Sequence, residues 1–291
     1  MRKIIYKEFT LPISIEDMKQ FYTIEEKKIP RSRPYVWYMF VMSADGVGSL
    51  KEENYHDKGI GLSGPGLALK QFRDTRPEAR GAYADWRLLQ YGWAIADAVA
   101  SGSGVLKAEP NLTWMPVDPD LSEYRTALAK ELPLRVLITG NGFSAKEMSY
   151  PVFRPEGFRT LVATSERGYE RMQNEMASVK EEPTAEFKTF GSDRVDFAEM
   201  LRILRKEYNV KLLDLQGGPD IAGQFFEQGL VDEYRLTASP AIAGSINSEG
   251  KQRPGPVKTG FGPESIVTME LVGLGVSGSH TFHRYEVRHH K

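Results

Sequence analysis

Several short stretches carry residue types that could grip an anion. The run Leu212-Leu213-Asp214-Leu215 leads into Gln216-Gly217-Gly218-Pro219-Asp220-Ile221. An apolar run that ends at two glycines lets the backbone approach a ligand closely, and Pro219 presets φ for a first helical turn. Such a turn presents free amides to an anion. Asp220 works against a phosphate there, because its carboxylate would itself occupy the positive end of the helix dipole. A Gly-Gly-Pro turn also serves simply to redirect the chain from strand to helix, and on the turn alone both readings stay open.

Other strand ends repeat the theme. Asp97-Ala98-Val99-Ala100 runs into Ser101-Gly102-Ser103-Gly104, a second glycine-rich end. Thr164 and Ser165 close another apolar run with Arg167 beside them. They bring two hydroxyls and a guanidinium to one place, and they equally fit the cap of a helix starting at 166. Asp45, in Ser43-Ala44-Asp45-Gly46, is a carboxylate at the end of an aromatic run. Its alternative role is to cap its own Asp-Gly turn.

The elements that must position these residues follow from periodicity. Residues 34–42 form a continuous apolar and aromatic run that reads as a buried strand. Residues 97–100, 134–139, 159–164 and 186–190 also read as strands, and 81–96, 166–178 and 195–208 as helices, with Trp86, Leu89, Trp93 and Ala96 near helical spacing in the first. This alternation predicts a parallel sheet covered by helices. After Gly217-Gly218, Ile221 and Phe225 give a helix an inward face, Gly229 takes the left-handed C′ position and Leu230 supplies the apolar contact beyond it. Residues 233–239, 265–272 and 279–287 read as strands without intervening helices, so the C-terminal edge is expected to be antiparallel. The first 33 residues read as an appended arm with one short helix capped by Ser14, followed by a single domain over 34–291. Residues 48–80 read as a long glycine-rich, charged loop.

Composition narrows the chemistry. In 291 residues, 38 Lys and Arg nearly balance 39 Asp and Glu, which removes the basic excess that a nucleic-acid or membrane-surface binder needs. There is no cysteine, so thiol nucleophiles, disulfides and zinc-thiolate sites are excluded. No run has the length of a membrane span or the apolar core of a signal peptide, and a cytoplasmic protein acting on a small molecule is expected. Gly273-Leu274-Gly275-Val276-Ser277-Gly278 matches the dinucleotide fingerprint in letters, yet only residues 279–291 follow, alternating like a strand. The motif needs a helix there, so these glycines are expected in a hairpin turn. His280 and His283 fall on opposite faces of that strand and no third ligand is usefully spaced, so no metal site is expected. The G-x-S-x-G elbow of α/β-hydrolases is absent from the sequence.

Three segments in order resemble the reductase domain of the bifunctional riboflavin-biosynthesis deaminase/reductase family. Arg33-Pro34-Tyr35-Val36 through Ser43, Asp45 and Gly46 is similar to the family's R-P-Y-V and S-x-D-G. Ala96-Asp97-Ala98, Gly102, Gly104 and Glu109-Pro110-Asn111-Leu112-Thr113 resemble A-D-A, G-x-G-T and D-P-x-L-T. Gln216-Gly217-Gly218, Gly229-Leu230-Val231-Asp232-Glu233, Pro240 and Gly244 resemble E-G-G, G-L-V-D-E and P-x-x-x-G.

The resemblance implies a dihydrofolate reductase-like α/β fold, a mixed, mostly parallel sheet flanked by helices with an antiparallel C-terminal edge. It also implies a homodimer and NADPH as hydride donor. Carried over by position, the cofactor contacts fall on Met42, Ser43, Gly102, Ser103, Gly104, Val105, Glu109, Leu112, Gly217, Gly218, Pro219, Asp220 and Ile221. Thr164, Ser165 and Arg167 are then candidates for a 2′-phosphate, and Asp45, Glu109 and Gln216 for the catalytic and substrate-lining groups. Departures bear on the substrate. Val105 stands for the family's threonine, Glu109 for its aspartate and Gln216 for its glutamate. The arginine closing D-P-x-L-T-x-R and the S-x-W-I-T segment are missing, which weakens the case for a phosphorylated substrate. The expected function is an NADPH-dependent reductase of a small pyrimidine- or pterin-like heterocycle. The alternatives are the riboflavin-pathway reductase acting on a phosphoribosylamino-pyrimidine, and a non-catalytic NADP(H)-binding protein.

Overall fold

Runs of apolar residues long enough for a strand, bounded by turn residues, become strands covered on both faces: every residue of Leu134–Thr139 and Thr160–Thr164 is buried. The computed structural model describes residues 4–48, 77–111 and 114–288. Along the chain the elements are β1 (Ile5–Glu8), α1 (Ile15–Phe21), β2 (Tyr35–Ser43), α2 (Pro77–Ile95), β3 (Ala98–Gly102), α3 (Ser103–Ala108), α4 (Pro119–Ala127) and β4 (Leu134–Thr139). They continue with α5 (Ala145–Met148), β5 (Thr160–Thr164), α6 (Glu166–Met176), β6 (Glu186–Thr189), α7 (Phe197–Glu207), β7 (Leu212–Leu215), α8 (Pro219–Glu227), β8 (Glu233–Ser239), β9 (Thr268–Ser277) and β10 (His280–Arg288). The chain divides into two compact units, one of Met1–Glu25, Val36–Gly92 and Pro219–Lys291, the other of Glu26–Tyr35 and Trp93–Gly218. The segment expected as a single domain contributes to both.

In the second unit the strands run β7-β3-β4-β5-β6, all parallel. Parallel neighbours need crossover segments, and helices α6 and α7 follow β5 and β6 as the alternation predicts. Asp196 caps α7 by accepting from the Glu199 N–H at 2.9 Å, and the helix buries Phe197, Met200, Leu201 and Leu204. Because the strands are parallel, their carboxyl ends at Gly102, Thr139, Thr164 and Leu215 share one edge. Open α/β sheets place ligands at that edge.

In the first unit the order is β1-β9-β10-β8-β2. β9, β10 and β8 are antiparallel, as expected for the C-terminal strands, while β8–β2 and β1–β9 are parallel. The segment expected as an appended arm supplies β1 and α1. Ser14 caps α1 by accepting from the Asp17 N–H at 3.1 Å. The Phe9 ring packs edge-on to Phe21 and Phe282, with centroids 5.2 and 5.7 Å away.

Three sequence expectations need correction here. Gly273 and Gly275 are not in the hairpin turn but inside β9, which extends to Ser277, and only Gly278, at φ +57°, lies in the turn. Their missing side chains make room: a Cβ on Gly275 would stand 2.5 Å from Phe9 Cε2, and one on Gly273 3.1 Å from Phe21 Cε2. Residues 77–80, read as loop, are helical, since Pro77 fits the first turn, and 49–76 lie outside the described residues. Finally, Ser103 and Gly104, read as part of a glycine-rich strand end, already belong to helix α3, which follows β3 directly.

Candidate functional site

The carboxyl edge of the second unit brings two glycine-rich strand ends together. β3 and β7 are direct neighbours, with Ala98 opposite Leu213 and Ala100 opposite Leu215. The Gln216 N–H extends the ladder by donating to the Ala100 carbonyl at 2.7 Å. Gly102 to Val105 and Gln216 to Gly218 therefore leave adjacent strands at one level. At Gly104 and Gly218 neither an unusual φ nor a neighbour demands glycine, for no heavy atom lies within 4 Å of where a Cβ would stand. The space a side chain would fill is open, as a backbone cradle for a phosphate group requires.

Side chains at this edge differ in freedom. Gln216 is half-buried, and its Nε2 donates to Oδ1 of the fully buried Asp214 at 2.6 Å. Glu109 follows α3, with its N–H donating to the Val105 carbonyl at 2.9 Å, and burial pushes its carboxyl above the usual range. Val105 and Ser103 are half-buried and Gly104 is exposed. Leu112 lies outside the described residues.

Thr164 and Ser165 sit at the end of β5 and both are buried. The Ser165 hydroxyl donates to the Gly140 carbonyl at 2.8 Å and accepts from the Gly168 N–H at 3.0 Å, so it is committed to capping α6. Thr164 Oγ1 lies only 2.3 Å from where a Gly168 Cβ would stand, which ties Gly168 to this tight corner. Arg167 is exposed, with Asn141 Oδ1 at 3.4 Å and Asp193 Oδ1 at 3.5 Å.

The remaining candidates belong to the first unit. Met42 and Ser43 end β2, opposite Ala238 and Ser239 of β8. Ser43 Oγ donates to Asp45 Oδ1 and accepts from the Val47 N–H at 3.0 Å. Asp45 also accepts from the N–H groups of Ala243 at 3.1 Å and Gly244 at 2.7 Å. These donors, the Ser43 hydroxyl first, hold its carboxyl down at about 2, so at neutral pH it is a fixed anion that staples a distant loop and has no proton to give. Gly46, at φ +84°, completes the turn. Pro219, Asp220 and Ile221 open α8, where Lys258 pairs with Asp220 at 3.1 Å and its N–H donates to the Pro219 carbonyl at 3.1 Å.

Two residues near the candidate positions escaped the sequence reading. Asp214 had a usable signal, since Asp214 and Gln216 are two apart in a strand and must share a face. Lys258 had none, because only the fold brings it to Asp220.

The family model for the RibD C-terminal domain matches residues 34–280. The chain belongs to this family. Its fold is shared with a pyrimidine reductase-like protein from Corynebacterium diphtheriae, at TM-score 0.65 and 18% identity over 94% of this chain and 99% of that one. It is also similar to the riboflavin biosynthesis reductase Rib7 of Saccharomyces cerevisiae, at TM-score 0.52 and 15% identity over 94% and 100%. Against Acinetobacter baumannii RibD the TM-score is 0.56 at 16% identity, and the match covers 88% of this chain but 58% of that one.

Proposed function

We propose that this RibD C-terminal family member is an NADPH-dependent reductase acting on a C=N, C=C or C=O bond of a small pyrimidine- or pterin-like heterocycle. The observation that carries the reading is the pair of adjacent strand ends at Gly102–Val105 and Gln216–Gly218, with open backbone at Gly104 and Gly218. Main-chain amides there would hold a diphosphate without a basic side chain. NADPH, when bound, supplies the hydride.

The chain's own residues supply placement and proton handling. Gln216 offers a fixed amide at the lip of the cradle. Glu109, with its carboxyl raised by burial, holds a proton more readily than an exposed glutamate and is suited to deliver it to the reduced substrate. Arg167, the exposed member of its trio, is suited to a 2′-phosphate. A fluorescence titration with NADPH, followed by NADPH oxidation against pterins, pyrimidines, imines and enones, tests the reading. Saturable binding with turnover is expected. No NADPH binding overturns the proposal, and tight binding without turnover across the panel favours a non-catalytic nucleotide-binding protein instead.

A further inference from the structure

Asp214 and Gln216 are polar side chains two residues apart on an extended strand whose neighbours are apolar. They therefore stand on the same face, one behind the other. Asp214 is 0% exposed, while Gln216 is half-buried and nearer the edge. Gln216 is fixed at both ends, by its N–H to the Ala100 carbonyl at 2.7 Å and by its Nε2 to Asp214 Oδ1 at 2.6 Å. The amide nitrogen is the end that faces Asp214 Oδ1, the arrangement an ionised carboxylate, which only accepts hydrogen bonds, requires. Flipping the amide would set two acceptor oxygens against each other in a buried place, where an unmade bond to a charged group is most costly. The amide oxygen is thereby turned away from Asp214.

Resting on the proposed pyrimidine-type reductase, we infer that Asp214 is a positioning residue that locks the Gln216 amide, so that Oε1 is offered to the substrate and the site selects a heterocycle presenting an N–H donor there. The ligand chemistry is the ring lactam N–H of a pyrimidine-type heterocycle. A free glutamine would turn either end of its amide to the ligand and accept donors and acceptors alike. With the lock in place, one end is spent and the acceptor position is fixed.

The test begins without ligand. The Gln216 side-chain amide resonances should carry a strong downfield shift of one proton that disappears in Asp214→Asn, and an unchanged pair in that variant overturns the lock. Binding is then read by calorimetry in the presence of NADP, using 5,6-diaminouracil as the probe. Gln216→Glu sets two carboxylates together and should weaken the probe about 10- to 100-fold, the range of a hydrogen bond to a charged group. The double variant Gln216→Glu, Asp214→Asn restores a donor facing an acceptor and should return to within about threefold of the parent. Failure of that rescue overturns the proposal. 1,3-Dimethyl-5,6-diaminouracil lacks the ring N–H groups, so the parent should prefer the unmethylated probe about tenfold and Asp214→Asn should lose that preference. A parent protein that binds NADPH but does not distinguish the two probes overturns the N–H selection. Failure of the functional reading is seen separately, as absence of NADPH binding in a parent protein whose Gln216 resonances still respond to Asp214→Asn.

Discussion

Substituting Gly275 and Gly218 by alanine should separate two reasons for a glycine in one molecule. In Gly275→Ala the new methyl carbon would stand 2.5 Å from Phe9 Cε2 and 3.3 Å from Phe21 Cζ, against the roughly 3.5–4.0 Å at which carbon atoms attract. The Phe9 ring has little room to retreat, being buried and wedged against Phe21 and Phe282. Overpacking of this kind costs about 1–3 kcal/mol. Removing the backbone freedom of a strand glycine returns about 0.5–1 kcal/mol. At the middle of these ranges the net expectation is a loss of about 1 kcal/mol, a fall of about 2–4 °C in Tm, with NADPH affinity unchanged. Gly218→Ala should do the reverse. Its methyl meets nothing within 4 Å, so the fold is kept and gains about 0.4–1 kcal/mol from the stiffer unfolded chain. NADPH affinity should fall about tenfold if the proposed cradle holds the diphosphate, because the methyl would occupy it and displace a charge-assisted hydrogen bond. Urea unfolding and NADPH fluorescence titration read both effects. A Gly275→Ala protein as stable as the parent would refute the packing argument, and one with impaired NADPH binding would return Gly273-Leu274-Gly275 to the cofactor. Unchanged affinity in Gly218→Ala would refute the cradle.

Further outcomes follow from charged groups. Burial alone would raise the Glu233 carboxyl, but Arg235 Nε at 2.6 Å and Arg284 Nη2 at 2.7 Å overcome it and hold it down at about 2. A carboxylate depressed in the folded state adds stability that is complete above its unfolded value near 4.5 and is lost as pH falls from there toward 2, so unfolding midpoints at pH 7, 4 and 3 should drop in that order. Glu233→Gln should remove about 3–5 kcal/mol at pH 7, since it takes away the buried charge with which Arg235 and Arg284 both pair. At the other end of the molecule's chemistry, Ser165→Ala should lower stability by about 1 kcal/mol through the lost cap of α6 and leave the NADPH-to-NADH affinity ratio unmoved. Arg167→Ala should lower that ratio with little change in stability, and an unmoved ratio there would remove Arg167 from the 2′-phosphate.

Much of the fold is written locally. The strands at 134–139 and 233–239 have the bounds that their apolar runs predict, and Ser14, Ser165 and Gly229 cap or end their helices through contacts within a few residues. The glycine-rich strand ends at 102 and 217 are legible for the same reason, since a run that stops at glycines marks its own turn. What the tertiary structure decided is every outcome that depends on a neighbour far away in sequence. Asp45 reads as a turn cap or a polar catalytic group until Ala243 and Gly244 arrive to take both its oxygens. The pattern Gly273-Leu274-Gly275 reads as a turn until Phe9 and Phe21, carried in by β1 and α1, need the space above it. Sequence order fixes caps, turns and periodicity because those forces act over one or two turns of chain. Pairing of strands and filling of volume act between segments that only the folded chain makes adjacent.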